Sequence, residues 1–226
     1  MIALARFQVS GYLRSLRILQ PVIVIFMILA LLLSQAPANA GLAAGAFGDV
    51  AAFMFPVWAW AARALLDTQP DEQRALSATA ARHHLTPACA GLLAAYAVNL
   101  ALGVAILAVP TVQGLSAGLE SGAVAVGLGL NLLVAAAGTF LGAWTSRAII
   151  PDPGVSLLAL LGSAAAALLL SIGPLSWLSV PMVDWIRAAH DGPDELIAAF
   201  PGLALHMALW TAVVGVAYIL IRRTRP

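Results

Sequence analysis

The sequence predicts an all-α integral membrane protein. Of its 226 residues, 62% are hydrophobic and only 9% are charged, and the mean hydropathy is +0.97. A soluble domain carries about 25% charged residues. The apolar runs are long and continuous rather than alternating, which favours helices over a transmembrane barrel. Because lipid offers no hydrogen-bond partners, each span must satisfy its own backbone, as a helix does.

Six apolar runs are long enough to cross a bilayer, which takes about 20 residues. Proline follows three of these runs: Pro37 follows the first, Pro110 follows the third, and Gly173-Pro174 follows the fifth. We predict that the helix ends at each of these positions. Pro56 lies inside the second run and predicts a kink. We predict one transmembrane domain over 1–226, with spans at about 18–36, 46–66, 87–109, 121–144, 154–172 and 202–221.

The segment 1–17 has a basic face, so we interpret it as an amphipathic helix in the headgroup layer and not as a cleavable signal peptide. A basic flank that only sets topology is the alternative. At about 100° per residue, one arc of the helical wheel carries Arg6, Ser10, Arg14 and Arg17, and the opposite arc carries Val9, Tyr12, Leu16 and Leu19.

The segment 173–201 is too polar to span and predicts an outer helical hairpin before the last span. A second helix start is indicated at Pro193-Asp194-Glu195, since acidic residues suit a helix N-terminus. In the first arm, one face is formed by Met182, Trp185, Ile186 and Ala189, and the other by Asp184, Arg187 and Asp191.

The basic residues predict the orientation. All eleven are Arg, and ten of them precede the first span, lie at or in the segments 63–86 and 146–153, or end the chain; Arg187 alone falls on the other side. The positive-inside rule then makes both termini and the loop 67–86 cytoplasmic and the hairpin extracellular. The Arg and Ala excess suggests a GC-rich genome, so we expect a multi-pass protein of a bacterial cell (plasma) membrane. No basic and aromatic patch suggests a nucleic-acid partner.

The stretch 66–87, LDTQPDEQRALSATAARHHLTP, is the long polar interval between two spans that carries both charge signs. Thr68-x-x-Asp71 is similar to a capping box, and with Pro70 in the first turn it predicts a short helix over 69–79. His83 and His84 are adjacent and do not share a helix face. With the single Cys89 also isolated, we expect no metal site.

The whole chain resembles the permease subunit of an ABC-2-type exporter of the multidrug or antibiotic type. The shared pattern is an amphipathic helix, six spans, a helical loop after the second span, a short turn after the fourth and an outer hairpin before the sixth. The most specific part is 67–97, DTQPDEQRALSATAARHHLTPACAGLLAAYA. The resemblance implies that 69–79 is the helix seated in a cleft of the ATPase subunit, contacting it through Gln69, Asp71, Glu72, Arg74 and Leu76. The turn 82–87 departs from the family's commoner proline-then-small-or-basic pattern, which leaves the register open.

The chain has no G-x-x-x-x-G-K-[ST] phosphate loop, so we expect no enzyme activity, no catalytic residues and no cofactor bound by this chain. The resemblance implies that ATP and Mg²⁺ bind to a partner ATPase, present in two copies. It also implies a second permease chain, identical or related, since six spans form half of such a pathway. The expected function is ATP-driven export of a hydrophobic or amphiphilic compound.

Polar and aromatic residues at membrane depth are candidates for the substrate path, because burying them there is costly. The alternative for each Asn is an interhelical hydrogen bond, and for His206 it is a neutral, hydrogen-bonded ring. The Met and aromatic residues of the second span suit a core or lipid-facing position equally. The Gly138/Gly142 pair suits either intrachain packing or dimerisation. The path candidates are Met54, Phe55, Trp58, Asn99, Asn131 and His206.

Two other functions are consistent with the sequence. One is a non-transport sensor, immunity or assembly subunit in the membrane. The other is an intramembrane enzyme, for which Ser163, Ser171 and His206 are available but without a G-x-S-x-G surround.

Overall fold

The computed structural model describes residues 1–70, 73 and 85–224, and no strand occurs among them. The prediction of an all-helical chain is therefore confirmed for this part. In chain order the helices are α1 (Ile2–Arg14), α2 (Leu19–Leu32), α3 (Ala40–Leu66), α4 (Thr86–Ser116), α5 (Ser121–Trp144), α6 (Pro153–Ile172), α7 (Met182–Asp191) and α8 (Pro193–Thr224), with a single 3₁₀ turn at Ser176–Leu178.

Five helices, α3, α4, α5, α6 and α8, are long and apolar enough to cross a membrane. The predicted first span differs: α2 has 14 residues and is about 21 Å long, whereas a bilayer core is about 30 Å thick. The number of possible spans reaches six only if α1 and α2 together form one span, and these two helices meet at a bend of 73°. The chain thus has the helices of a multi-pass membrane protein.

The bend between α1 and α2 interrupts the predicted basic face. Helix α1 ends at Arg14, and Leu16 adopts φ 57°, a left-handed conformation that costs a Leu about 1 kcal/mol. Arg17 therefore leaves the arc of Arg6 and Arg14. Tyr12 is fully buried in a cluster with α3 and α4 residues, but Leu16 is exposed. Burial raises the pKa of Tyr12 to about 12, against a smaller lowering by Arg17.

Three prolines lie inside helices, so the expectation that Pro110 stops the third span is wrong. Helix α4 continues through Pro110 to Ser116, and α8 begins at Pro193 and runs through Pro201. The second arm of the predicted outer hairpin is therefore the first part of α8. A proline removes one N–H from a helix, and in long membrane helices neighbouring groups compensate for the loss.

Helix α7 has the two faces that the sequence predicted. Met182 and Trp185 are buried, and Asp184 and Arg187 are exposed. The helix packs on α3, where a Cβ at Gly48 would lie 2.7 Å from the Ala189 Cβ. At the same end of α3, His190 Nε2 lies 2.9 Å from an Asp49 carboxylate oxygen.

Helix α3 is the centre of the bundle, and its most extensive contact is with α5. A methyl group at Gly138 would come within 2.7 Å of the Trp58 Cβ, and one at Gly142 would collide with the Ala59 carbonyl oxygen. Farther along α5, Gly127 leaves room for the Phe47 ring, which a Cβ there would meet at 2.6 Å. The Gly138/Gly142 pair therefore serves packing within the chain.

Substituting Gly142 tests this close approach. We expect Gly142→Ala to lower the free energy of unfolding by about 2–3 kcal/mol, because the new methyl group meets backbone that cannot rotate away. Gly162→Ala on α6 is the matched control, since nothing lies within 4 Å of a Cβ there. Thermal unfolding of both variants in detergent gives the comparison, and equal midpoints would contradict this packing.

Candidate functional site

The polar interval begins at a buried carboxylate, Asp67, directly after α3. Its Oδ1 accepts a hydrogen bond from the backbone N–H of Arg147 at 2.8 Å, and its Oδ2 lies 3.7 Å from Arg63 Nε. The Asp67 backbone carbonyl accepts from Arg17 Nη1 at 3.0 Å. One residue thus joins the α1–α2 bend, the end of α3 and the turn between α5 and α6.

Arg63 extends these contacts to α6. Its Nε donates to Ser156 Oγ at 2.6 Å, and its Nη2 donates to the Pro153 carbonyl at 3.1 Å. The Ser156 hydroxyl donates in turn to the Thr145 carbonyl at the end of α5. We name this set the Asp67 junction: Arg17, Arg63, Asp67, Arg147 and Ser156.

The C-terminal end of α8 lies at the same end of the bundle as the Asp67 junction. Arg222 Nη1 lies 3.5 Å from the Ala148 carbonyl, next to Arg147. Four arginines from separate parts of the chain therefore meet at one end. Arg187 lies on α7, which packs at the opposite end of α3.

Most of the residues predicted to contact an ATPase, namely Asp71, Glu72, Arg74 and Leu76, lie outside the described residues, as do Arg82, His83 and His84. Gln69 is described, and its Oε1 lies 3.5 Å from Gln8 Nε2 of α1. The Thr68 hydroxyl donates to the Ala64 carbonyl at 2.8 Å, so it forms a hydrogen bond with the last turn of α3. Of the described residues in the helix predicted over 69–79, Gln73 is helical, whereas Gln69 and Pro70 are not.

Asp67 was not predicted as a site residue; the sequence placed it only at the start of the loop 67–86. The available signal was the spacing of Arg63 and Asp67, four residues apart, because such pairs meet on a helix surface. The contact with Arg147 joins residues 80 positions apart and has no local signal.

A second feature is a cavity of about 550 Å³ between α3, α4 and α5, about halfway along these helices and open on one side, which we call the central cavity. Three of the predicted path residues line it, one from each helix: Trp58, Asn99 and Asn131. Met54 and Phe55 are fully buried in the core and do not line this cavity. His206 lies on α8, half-buried, and is also not among the lining residues.

Both cavity asparagines make interhelical hydrogen bonds, as the alternative interpretation predicted. Asn99 Nδ2 donates to the Trp58 carbonyl at 3.1 Å and to Thr139 Oγ1 at 3.0 Å. Asn131 Nδ2 donates to the Phe47 carbonyl at 3.2 Å and to the Gly127 carbonyl at 2.9 Å. These amides stabilise the contacts of α3 with α4 and α5.

Among the described residues, no group of three or more His, Cys, Asp or Glu side chains is placed to hold a metal ion. Within the same part of the chain, Ser163 and Ser171 are engaged locally. Ser163 donates to the Leu160 carbonyl, and Ser171 Oγ accepts from the Val183 N–H at 2.8 Å.

Comparison with known proteins found no match of this chain to a family model, to a curated protein or to a solved structure.

Asp67→Ala tests the Asp67 junction. The variant leaves the half-buried Arg147 N–H without its acceptor and removes the carboxylate beside Arg63, so we expect a loss of about 2 kcal/mol of stability. Asp67→Asn keeps an acceptor oxygen and should lose less. Thermal unfolding in detergent measures both. Asp184→Ala on the exposed face of α7 is the control, and a loss as large as that of Asp67→Ala would contradict the assignment.

Proposed function

We propose that this chain is a permease subunit of an ATP-driven exporter in a bacterial cell membrane, acting on a hydrophobic or amphiphilic compound. In this proposal a separate ATPase subunit, in two copies, binds ATP and Mg²⁺. A second permease chain, identical or related, completes the pathway. The helices able to cross a membrane support the membrane location, and the Asp67 junction supports the mechanical role.

The observation that carries the proposal is the position of Asp67 at the start of the polar interval. Its side chain and carbonyl contact Arg17, Arg63 and Arg147, which belong to three different parts of the chain. Arg63 continues the contacts to α6 through Ser156. A displacement of the interval 67–85 by a bound ATPase would therefore act on α1, α3 and α6 together. Such a junction can transmit a movement because packed helices shift as rigid bodies.

The charge distribution supports placing this end in the cytoplasm. Arg17, Arg63, Arg147 and Arg222 meet at the end that also carries the polar interval. Cytoplasmic loops carry an excess of Arg, and an ATPase that uses cellular ATP must bind on that side.

A membrane sensor, immunity or assembly subunit is the second candidate, and the central cavity is the observation that favours it. Its 550 Å³ lies within the range of about 300–1,000 Å³ typical of small-molecule sites. Binding in this cavity without a partner ATPase would suffice for sensing. The two functions are distinguished by whether ATP hydrolysis by a partner ATPase depends on this chain.

The coupling role is tested by co-expressing this chain with a phosphate-loop ATPase encoded beside it and measuring ATP hydrolysis in proteoliposomes. We expect Glu72→Ala/Arg74→Ala to lower the chain-dependent stimulation at least about tenfold, since two charged contacts at an interface are lost. Asp184→Ala/Arg187→Ala removes the same charges from exposed positions on α7 and should leave stimulation unchanged. Full stimulation by the first variant, or no such ATPase beside this chain, would count against the exporter.

The orientation is tested with single cysteines in a Cys89→Ala background. A membrane-impermeant maleimide should label Asp184→Cys in intact cells, because that position lies on the predicted outer helix. Gln73→Cys, in the polar interval, should be labelled only after the cells are permeabilised. The reverse pattern would invert the orientation and remove the cytoplasmic ATPase contact.

A further inference from the structure

The central cavity has apolar walls and no charge. Gly103 and Val104 of α4 and Leu132 of α5 contribute to its lining, and of the described residues around it none is charged. Val104 and Leu132 are exposed, at 73% and 46%, so the cavity opens between α4 and α5 toward the surroundings of the bundle. Where these two helices face lipid, a molecule can enter the cavity from the bilayer without crossing water.

Three polar atoms on the lining residues are buried and without a partner: Asn99 Oδ1, Asn131 Oδ1 and Trp58 Nε1. Their side chains are held by the core, with residue exposures of 0%, 3% and 1%. An unsatisfied polar group in an apolar environment costs free energy that a hydrogen bond recovers. Hydrocarbon chains cannot supply that bond, whereas a ligand with hydroxyl or N–H groups can.

The orientation of the two amides follows from their partners. Each Nδ2 faces backbone carbonyl oxygens, which only accept hydrogen bonds, so the opposite atom of each amide is the acceptor oxygen. Asn99 and Asn131 therefore offer acceptors, and Trp58 Nε1 offers a donor. These atoms have almost no accessible surface, so a lining side chain must move before a small hydroxyl or N–H can reach them.

The two acceptors are separated along the bundle. Asn99 bonds to Thr139, which lies eight residues beyond Asn131 on α5. Eight residues of helix correspond to about 12 Å. A ligand that engages both amides is therefore elongated and has donor groups separated by a similar length.

We propose that the cavity between α3, α4 and α5 binds an uncharged, elongated lipophile whose hydroxyl or N–H groups donate to Asn99 Oδ1 and Asn131 Oδ1. This site does not depend on the proposed export function, because binding requires neither ATP nor a partner chain. If the chain exports a compound, the proposal gives the class of compound.

The test uses the full-length chain in nanodiscs of saturated phosphatidylcholine and three diazirine-bearing probes of equal carbon length: an alkane, an alcohol and an α,ω-diol. Irradiation followed by peptide mass spectrometry measures labelling of α4 and α5 as a function of the probe's mole fraction in the bilayer. We expect saturable labelling, with half-saturation about fivefold lower for each added hydroxyl.

Two kinds of variant locate the binding. Asn131→Leu should abolish the advantage of the diol over the alcohol, and the Phe47 and Gly127 carbonyls keep their helical partners in this variant. Gly103→Leu should block labelling by every probe, because a Cβ there meets only Trp58 Cζ2 at 3.9 Å and the larger side chain extends into the cavity. Gly162→Leu, at an open position on α6, should change nothing.

The outcomes separate this site from the export proposal. The three probes could show equal half-saturation, with labelling lost only in Gly103→Leu. That result would indicate a groove for acyl chains and would overturn the role of the amides. Non-saturable labelling would overturn the site itself. Neither result bears on stimulation of an ATPase through Glu72 and Arg74, and a failure of that stimulation leaves the binding result intact.

Discussion

The close approach of α3 and α5 is the contact on which the rest of the structure depends. It requires glycine at 127, 138 and 142, because the facing positions are a ring, a Cβ and a backbone carbonyl of α3. In lipid there is no hydrophobic force between helices, so association relies on dispersion contacts and on hydrogen bonds. Small residues allow the backbones to approach, and the bonds of Asn99 and Asn131 then become possible. Packing and polar contacts are thus part of the same interface.

Both candidate sites are positioned by this central pair of helices. The Asp67 junction lies where α3 ends, and there the turn after α5 brings the Arg147 N–H to the Asp67 carboxylate. The cavity lies beside the same pair, where α4 packs against them around Trp58 and Gly103. A shift of α3 along α5 would therefore alter both. This arrangement gives a physical route between the polar interval and the middle of the bundle, since packed helices move as units.

Several elements could be predicted from local sequence because their causes are local. The helix 121–144 and the faces of α7 follow from apolar length and from helical periodicity. Pro110 was misread as a stop, and the last span was begun at 202 although α8 runs through Pro201, because proline is a weak terminator when a long apolar helix continues beyond it. The bend at Leu16 was also missed. A left-handed Leu is unfavourable on its own and persists only where contacts such as the burial of Tyr12 hold α1 in place.

The sequence by itself determined that the chain is helical, that several helices are apolar enough to cross a membrane, and where along the chain its charged residues lie. These follow from composition and from the cost of exposing backbone or charge to hydrocarbon. Only the tertiary structure decided that Gly138 and Gly142 pack within the chain, that Asp67 joins three segments, and that Trp58, Asn99 and Asn131 share one cavity while His206 does not. Those contacts join residues tens of positions apart, and the relative rotation and height of neighbouring helices, which no single segment encodes, set them.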